Sequence, residues 1–117
     1  MVVVASSLLA LALGLGFLCA GYAKITQQPV MIKAGRQLGV PAATYRLIGG
    51  AEIAGAIGLA FGLVFTWIGV AAAFGLLALM VSAIGVHLHV DDQLHELVPA
   101  GTLALLIMVY LAVIVAG

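Results

Sequence analysis

The sequence predicts an all-α, polytopic membrane protein: a four-helix transmembrane bundle with a short interfacial amphipathic helix between the first and second spans. Three observations predict it. The 117 residues are 66% hydrophobic and 7% charged, whereas about a quarter of an ordinary soluble domain is charged. The mean hydropathy of +1.36 is too high for a water-facing surface or for a disordered chain. The polar residues gather in short intervals between long apolar runs. A single domain is expected over 1–117, with spans near 2–23, 44–63, 68–88 and 97–116.

The first apolar run, from Val2 to Ala23, could be mistaken for a secretion signal. It lacks Lys and Arg at its start and is long enough to span, so it reads as a retained helix. The residue before Cys19 is Leu18, which does not suit a lipoprotein cleavage site. Ser7, Ala10, Gly14 and Gly21 form a small-residue stripe that lets a second helix approach closely in lipid. Tyr22 and Lys24 suit the membrane interface. In the interval that follows, Val30, Met31, Ala34 and Leu38 share one side of a helical stretch, with Lys33, Arg36 and Gln37 opposite. Pro29 suits its first turn, and Gly39-Val40-Pro41 stops it. This predicts a short amphipathic helix at the interface.

The stretch from Arg46 to Asp92 is apolar apart from Glu52 and its polar ends. At about 1.5 Å per residue it would reach roughly twice the thickness of a bilayer's hydrocarbon core, so it must fold back as a hairpin. In its first arm Gly50, Ala54, Gly58 and Gly62 form a small-residue stripe, with Glu52 on another face. The turn falls around Phe65, Thr66 and Trp67. In the second arm Ala71, Gly75, Ala78, Ser82 and Gly85 keep a seven-residue rhythm, which predicts the seam of a left-handed bundle. A final run without charge carries Pro99 in its first turn.

With four spans, the first and third connections share one side of the membrane. That side holds Lys24, Lys33, Arg36, Arg46, Asp91, Asp92, Glu96 and all three His. The positive-inside rule then places the polar loops in the cytoplasm and both termini outside. Net charge is zero, and nothing suggests a nucleic-acid partner. The single cysteine, Cys19, permits no internal disulfide and no redox pair; it reads as inert core, and Met31, Met80 and Met108 read as packing.

Glu52 is the residue to explain. An ionised carboxylate in hydrocarbon costs several kcal/mol, so it must be paired, protonated or facing a polar cavity. Lys24, reaching back from the first helix, is a better partner than Arg46, which lies six residues earlier on the wrong side of the same helix. His87 ends the third long helix on the same side of the membrane. Lys24, Glu52 and His87 are therefore the candidate ligand-binding or proton-linked polar pocket, and Arg46, His89, Asp91 and His95 form a secondary polar cluster. The His87-x-His89-x-Asp91-Asp92 run superficially matches a metallo-hydrolase motif, but it ends a membrane helix and has Asp92 where the last His should stand. His87, Asp91 and His95 share a helical face with metal-ligand spacing, yet an interfacial cap is the simpler reading. Neither a metal nor a cofactor is expected.

Four motifs then fall in order: Gly21-Tyr-Ala-Lys24, Leu38-Gly39-Val-Pro41, Leu47-Ile-Gly-Gly-Ala-Glu52-Ile-Ala-Gly-Ala-Ile-Gly58-Leu, and Met80-Val-Ser-Ala-Ile-Gly-Val-His87 with an acid just after. In this order the chain resembles the DoxX-like family of small four-helix bacterial membrane proteins. The resemblance implies a four-helix bundle in a cytoplasmic (inner) membrane, with Lys24, Glu52 and His87 as the positions that match the family's polar pattern. Relatives named DoxD and DoxX are associated with a thiosulfate:quinone oxidoreductase and other membrane redox assemblies. Related four-helix proteins act as membrane chaperones in animals.

The expected function is a non-catalytic accessory or anchoring subunit of a quinone-linked membrane redox system. The alternative is a membrane chaperone or assembly factor, and a proton-coupled transporter ranks lower because the first helix has no acid. An autonomous enzyme is not expected. Expected partners are the lipid bilayer, quinone or another small hydrophobic ligand, other membrane proteins, or a second copy as a homodimer.

Overall fold

A computed structural model of the chain describes residues 2–26, 29–89 and 94–117, with the side chains of Val30, Ala34 and 94–97 outside the description. Five helices make up the described residues: α1 (Val2–Ile25), α2 (Pro29–Leu38), α3 (Ala42–Phe61), α4 (Thr66–His89) and α5 (Leu94–Ala116). α1 packs on α3, α3 on α4, α4 on α5 and α5 back on α1, while α2 rests on α1 and α3. The molecule is 42 Å along its longest axis, about the thickness of a bilayer with its headgroups.

Among the described residues, three helical stretches are long and apolar enough to cross a membrane: α1, α4 and Val98–Ala116 of α5. The chain is therefore an all-α, multi-pass membrane protein with three long apolar spans. α3, expected from the sequence as a further span, is not among these three. Its twenty residues carry Arg46 and Glu52, and these lower its average hydropathy.

Each long helix buries one narrow stripe with three- and four-residue spacing. The stripes are Ala10, Leu13 and Phe17 on α1; Glu52, Ala56 and Leu59 on α3; Ala73, Leu76 and Met80 on α4; and Ala100, Ala104, Ile107 and Tyr110 on α5. This is the helical period. Large apolar residues such as Leu8, Leu15, Phe74 and Leu105 remain exposed, as a lipid solvent permits. Cys19 is also exposed, so it faces outward and not into the core.

The small residues do not all pack where the sequence places them. A Cβ on Gly55 would meet Leu76, one on Gly58 would meet Ala72, and one on Gly62 would lie 2.5 Å from the Gly69 Cα. Gly50, by contrast, has nothing within 4 Å of such a Cβ, and Ala54 is exposed. On α4 the expected seam of Ala71, Gly75, Ala78, Ser82 and Gly85 is exposed throughout. The reason is complementarity. Small residues on one helix make holes for larger ones on its neighbour, so α4 turns Leu76 toward the glycine face of α3 and leaves its own small face outside.

The turns follow local chemistry. α2 ends in a Schellman motif: Gly39 adopts φ +72°, its N–H donates to Arg36 O at 3.2 Å, and the Val40 N–H donates to Gly35 O at 2.9 Å. The α3–α4 turn is tight, with the Leu63 N–H on Ala60 O and the Val64 N–H on Phe61 O. α4 begins at Thr66, and Pro99 falls inside α5 instead of in its first turn.

Candidate functional site

α1 and α3 run antiparallel, with Gly21 against Gly49 and Gly14 against Ala56. Lys24 lies near the end of α1 and Glu52 in the middle of α3. Side chains on a helix lean toward its N-terminus, so the Lys24 stem points back into the bundle. Gly49 leaves room for it: a Cβ there would lie 2.9 Å from the Lys24 Cβ. The Lys24 Nζ donates to Glu52 Oε1, forming the ion pair expected from the sequence.

Glu52 is 1% exposed, and the Lys24 side chain is 13% exposed. Burial strengthens the attraction within such a pair but removes the hydration of both charges. Its net effect on stability is therefore small, while loss of either partner is costly. The other carboxylate oxygen, Oε2, is buried and accepts no hydrogen bond from the described residues. A buried acceptor without a donor is uncommon and costly, so this oxygen is the open position of the site. A hydroxyl or N–H donor would fit it chemically.

Tyr45, which sequence reasoning missed, belongs to the same group. It lies seven residues before Glu52 on α3, two turns nearer the polar end. Its ring covers Lys24 Nζ at 5.5 Å from the centroid, a cation–π arrangement. Its hydroxyl donates to Met31 Sδ on α2 at 3.9 Å. The available signal was the seven-residue spacing to Glu52. A tyrosine near a helix start is otherwise read as part of an interfacial belt.

The remaining predicted residues lie further out. Arg46 is exposed at the start of α3, leaving Lys24 as the partner of Glu52. His87 is half-buried in the last turn of α4, and His89 is exposed. Asp91 lies outside the described residues, and so does the side chain of His95. Among the described residues no three His, Cys, Asp or Glu could hold one metal ion.

Contacts between α3 and α4 fix how deep these groups sit. Gly62 opposes Gly69, and Gly55 opposes Leu76. Three residues further along each helix, Glu52 comes level with Leu79. His87 is eight residues beyond Leu79, about 12 Å nearer the polar end by helical rise.

The family model described as the DoxX-like family matches residues 8–109. The chain belongs to the DoxX-like family. The match runs from α1 into α5 and includes Lys24, Tyr45, Glu52 and His87, so the whole polar group of this DoxX-like protein lies within the family region. Comparison with curated proteins and with solved structures returns no match.

Proposed function

We propose that this DoxX-like protein is a non-catalytic accessory or anchoring subunit of a quinone-linked membrane redox system, with a polar site built on Lys24 and Glu52 and with His87 at its rim. The observation that carries the reading is the buried ion pair with Glu52 Oε2 open. A purely structural clasp needs no spare acceptor, whereas a ligand headgroup with a hydroxyl would fill it. In this reading α3 is the fourth crossing. Its twenty residues reach about 30 Å, it is packed between α1 and α4, and Lys24 offsets the charge of its one buried acid. Lys24, Lys33, Arg36 and Arg46 all fall at one end, which the positive-inside rule assigns to the cytoplasm.

The test is affinity purification from native membranes together with thermal unfolding in the presence of a short-chain quinol. An oxidoreductase partner should co-purify, and the quinol should raise the unfolding midpoint of the wild type but not of Glu52→Gln. Recovery of the protein alone, with no quinol effect, refutes the reading. A second reading, assembly factor for other membrane proteins, is favoured by the small-residue face of α4 that points outward. It requires that deletion lower the level of a specific membrane complex, and unchanged levels would remove its support.

A further inference from the structure

The buried pair is closed on its polar side by a layer one aromatic ring thick. The Tyr45 ring lies over the Lys24 ammonium, and α2 lies on Tyr45. The Tyr45 hydroxyl meets Met31 Sδ at 3.9 Å. Gly35, one turn further along α2, is buried, and a Cβ on it would sit 3.7 Å from the ring. Two outward grooves do not reach the pair. The α3–α4 groove, about 570 Å³, is lined by small and apolar residues such as Ala51, Gly55, Gly58 and Ala72. The α1–α3 groove, about 230 Å³, is lined by residues such as Leu11, Leu15, Ile57 and Leu63. Lys24, Tyr45 and Glu52 line neither groove.

Among the described residues, the closing layer includes contacts that part easily. A thioether is a weak hydrogen-bond acceptor. α2 carries exposed Lys33, Arg36 and Gln37 on its outer side, so it can lift toward headgroups and water without burying a charge. Its C-terminal joint is Gly39, exposed and left-handed, with nothing within 4 Å of where a Cβ would stand. Lifting α2 and swinging Tyr45 away breaks neither the Lys24–Glu52 ion pair nor any helix.

We propose that α2 is a lid over the Lys24–Glu52 site, latched by Tyr45, and that it admits a small hydrogen-bond donor to Glu52 Oε2 from the polar face of the membrane. The lid rests on this pair being the site, but not on the redox role assigned to it. In this proposal access to the acid is set by the interface helix, and the two lipid-facing grooves described above play no part in it.

The experiment is carbodiimide modification of Glu52 in the purified full-length protein in nanodiscs, followed by peptide mass spectrometry. Both the adduct on Glu52 and the dehydrative cross-link to Lys24 are counted. Asp91, Asp92 and Glu96, the other acids of the chain, serve as internal references. With a water-soluble carbodiimide, Tyr45→Ala and Met31→Ala should speed modification of Glu52 by roughly five- to tenfold over the wild type, as expected for a larger open population. Tyr45→Phe, which keeps the ring over Lys24, should fall between. With a lipid-soluble carbodiimide the four proteins should react alike. Equal rates with the water-soluble reagent, including no reaction in any protein, overturn the lid. So does equal acceleration with both reagents, which would report general loosening. A latch effect in a protein that neither binds quinol nor recovers a partner would leave the lid standing and remove the redox reading alone.

Discussion

Gly49 and Gly50 are neighbours in one helix, and the structure gives them opposite tolerances. A methyl on Gly49 would lie 2.8 Å from the Gly21 carbonyl oxygen and 2.9 Å from the Lys24 Cβ. Favourable carbon contacts sit at about 3.5–4.0 Å, so α1 and α3 must part by roughly 0.7 Å or the Lys24 stem must leave its path. Overpacking of this kind costs about 1–3 kcal/mol. A methyl on Gly50 meets nothing within 4 Å. Both substitutions gain about 1 kcal/mol of helix propensity from alanine, and this term cancels between them. Gly49→Ala should therefore be about 1–3 kcal/mol less stable than Gly50→Ala, with Gly50→Ala at or slightly above the wild type. Equilibrium unfolding in mixed detergent micelles, followed by far-ultraviolet circular dichroism, measures the difference directly. Equal stabilities, or Gly50→Ala as the weaker protein, would refute both the α1–α3 register and the path assigned to Lys24.

Two further outcomes follow from the same packing. Lys24→Met should destabilise by about 3 kcal/mol, at the low end for a broken buried pair because Lys24 keeps some solvent contact; Lys24→Met/Glu52→Leu should regain most of that loss, and a double variant no more stable than the single one would show that Glu52 is not buried with Lys24 as its counter-charge. On α4, Gly69→Ala should cost about 1–3 kcal/mol, because its methyl would lie 3.0 Å from the Gly62 Cα and against the Tyr110 hydroxyl; Gly75→Ala, with open space around it, should unfold at or above the wild-type midpoint in the same micelle assay.

The apolar helices, the amphipathic α2 with its Gly39 stop, and the Lys24–Glu52 pair were legible in the sequence for one reason. Each depends on a local pattern or on a single costly charge with few possible partners. Glu52 needs a counter-charge, and the helical period rules Arg46 out and leaves Lys24. The packing faces were not legible to the same degree. On α3, Gly50, Ala54, Gly58 and Gly62 form one regular small-residue row, of which Gly58 and Gly62 pack on α4 and Gly50 does not, while Gly49 and Gly55 offer contacts elsewhere around the helix. Composition cannot choose between such rows when lipid is no more polar than the core. The choice is made by Leu76, which needs a hole, and Gly55 supplies one. Tyr45 was missed for a related reason. Its role exists only once α2 has folded over it and Lys24 has turned inward, and both are tertiary events.

Depth is a further quantity that residue order alone does not set. The sequence reading brings Glu52 and His87 to similar depth on antiparallel arms, with Lys24 closing the group, but residue order does not fix which residue of α3 faces which residue of α4. The contact of Gly62 with Gly69 next to the turn decides this. Counting eleven residues along each helix from the Gly55–Leu76 contact brings Thr44 opposite His87. The polar groups thus form a ladder: His87 is near the rim, Tyr45 is just inside it, and Glu52 lies deepest with the Lys24 ammonium drawn down to it. Under the lid proposed above, a donor entering at the polar face reaches Glu52 only after passing Tyr45. Glu52 and His87, grouped in one polar pocket by the sequence reading, are thus separated by about 12 Å of depth along the helices.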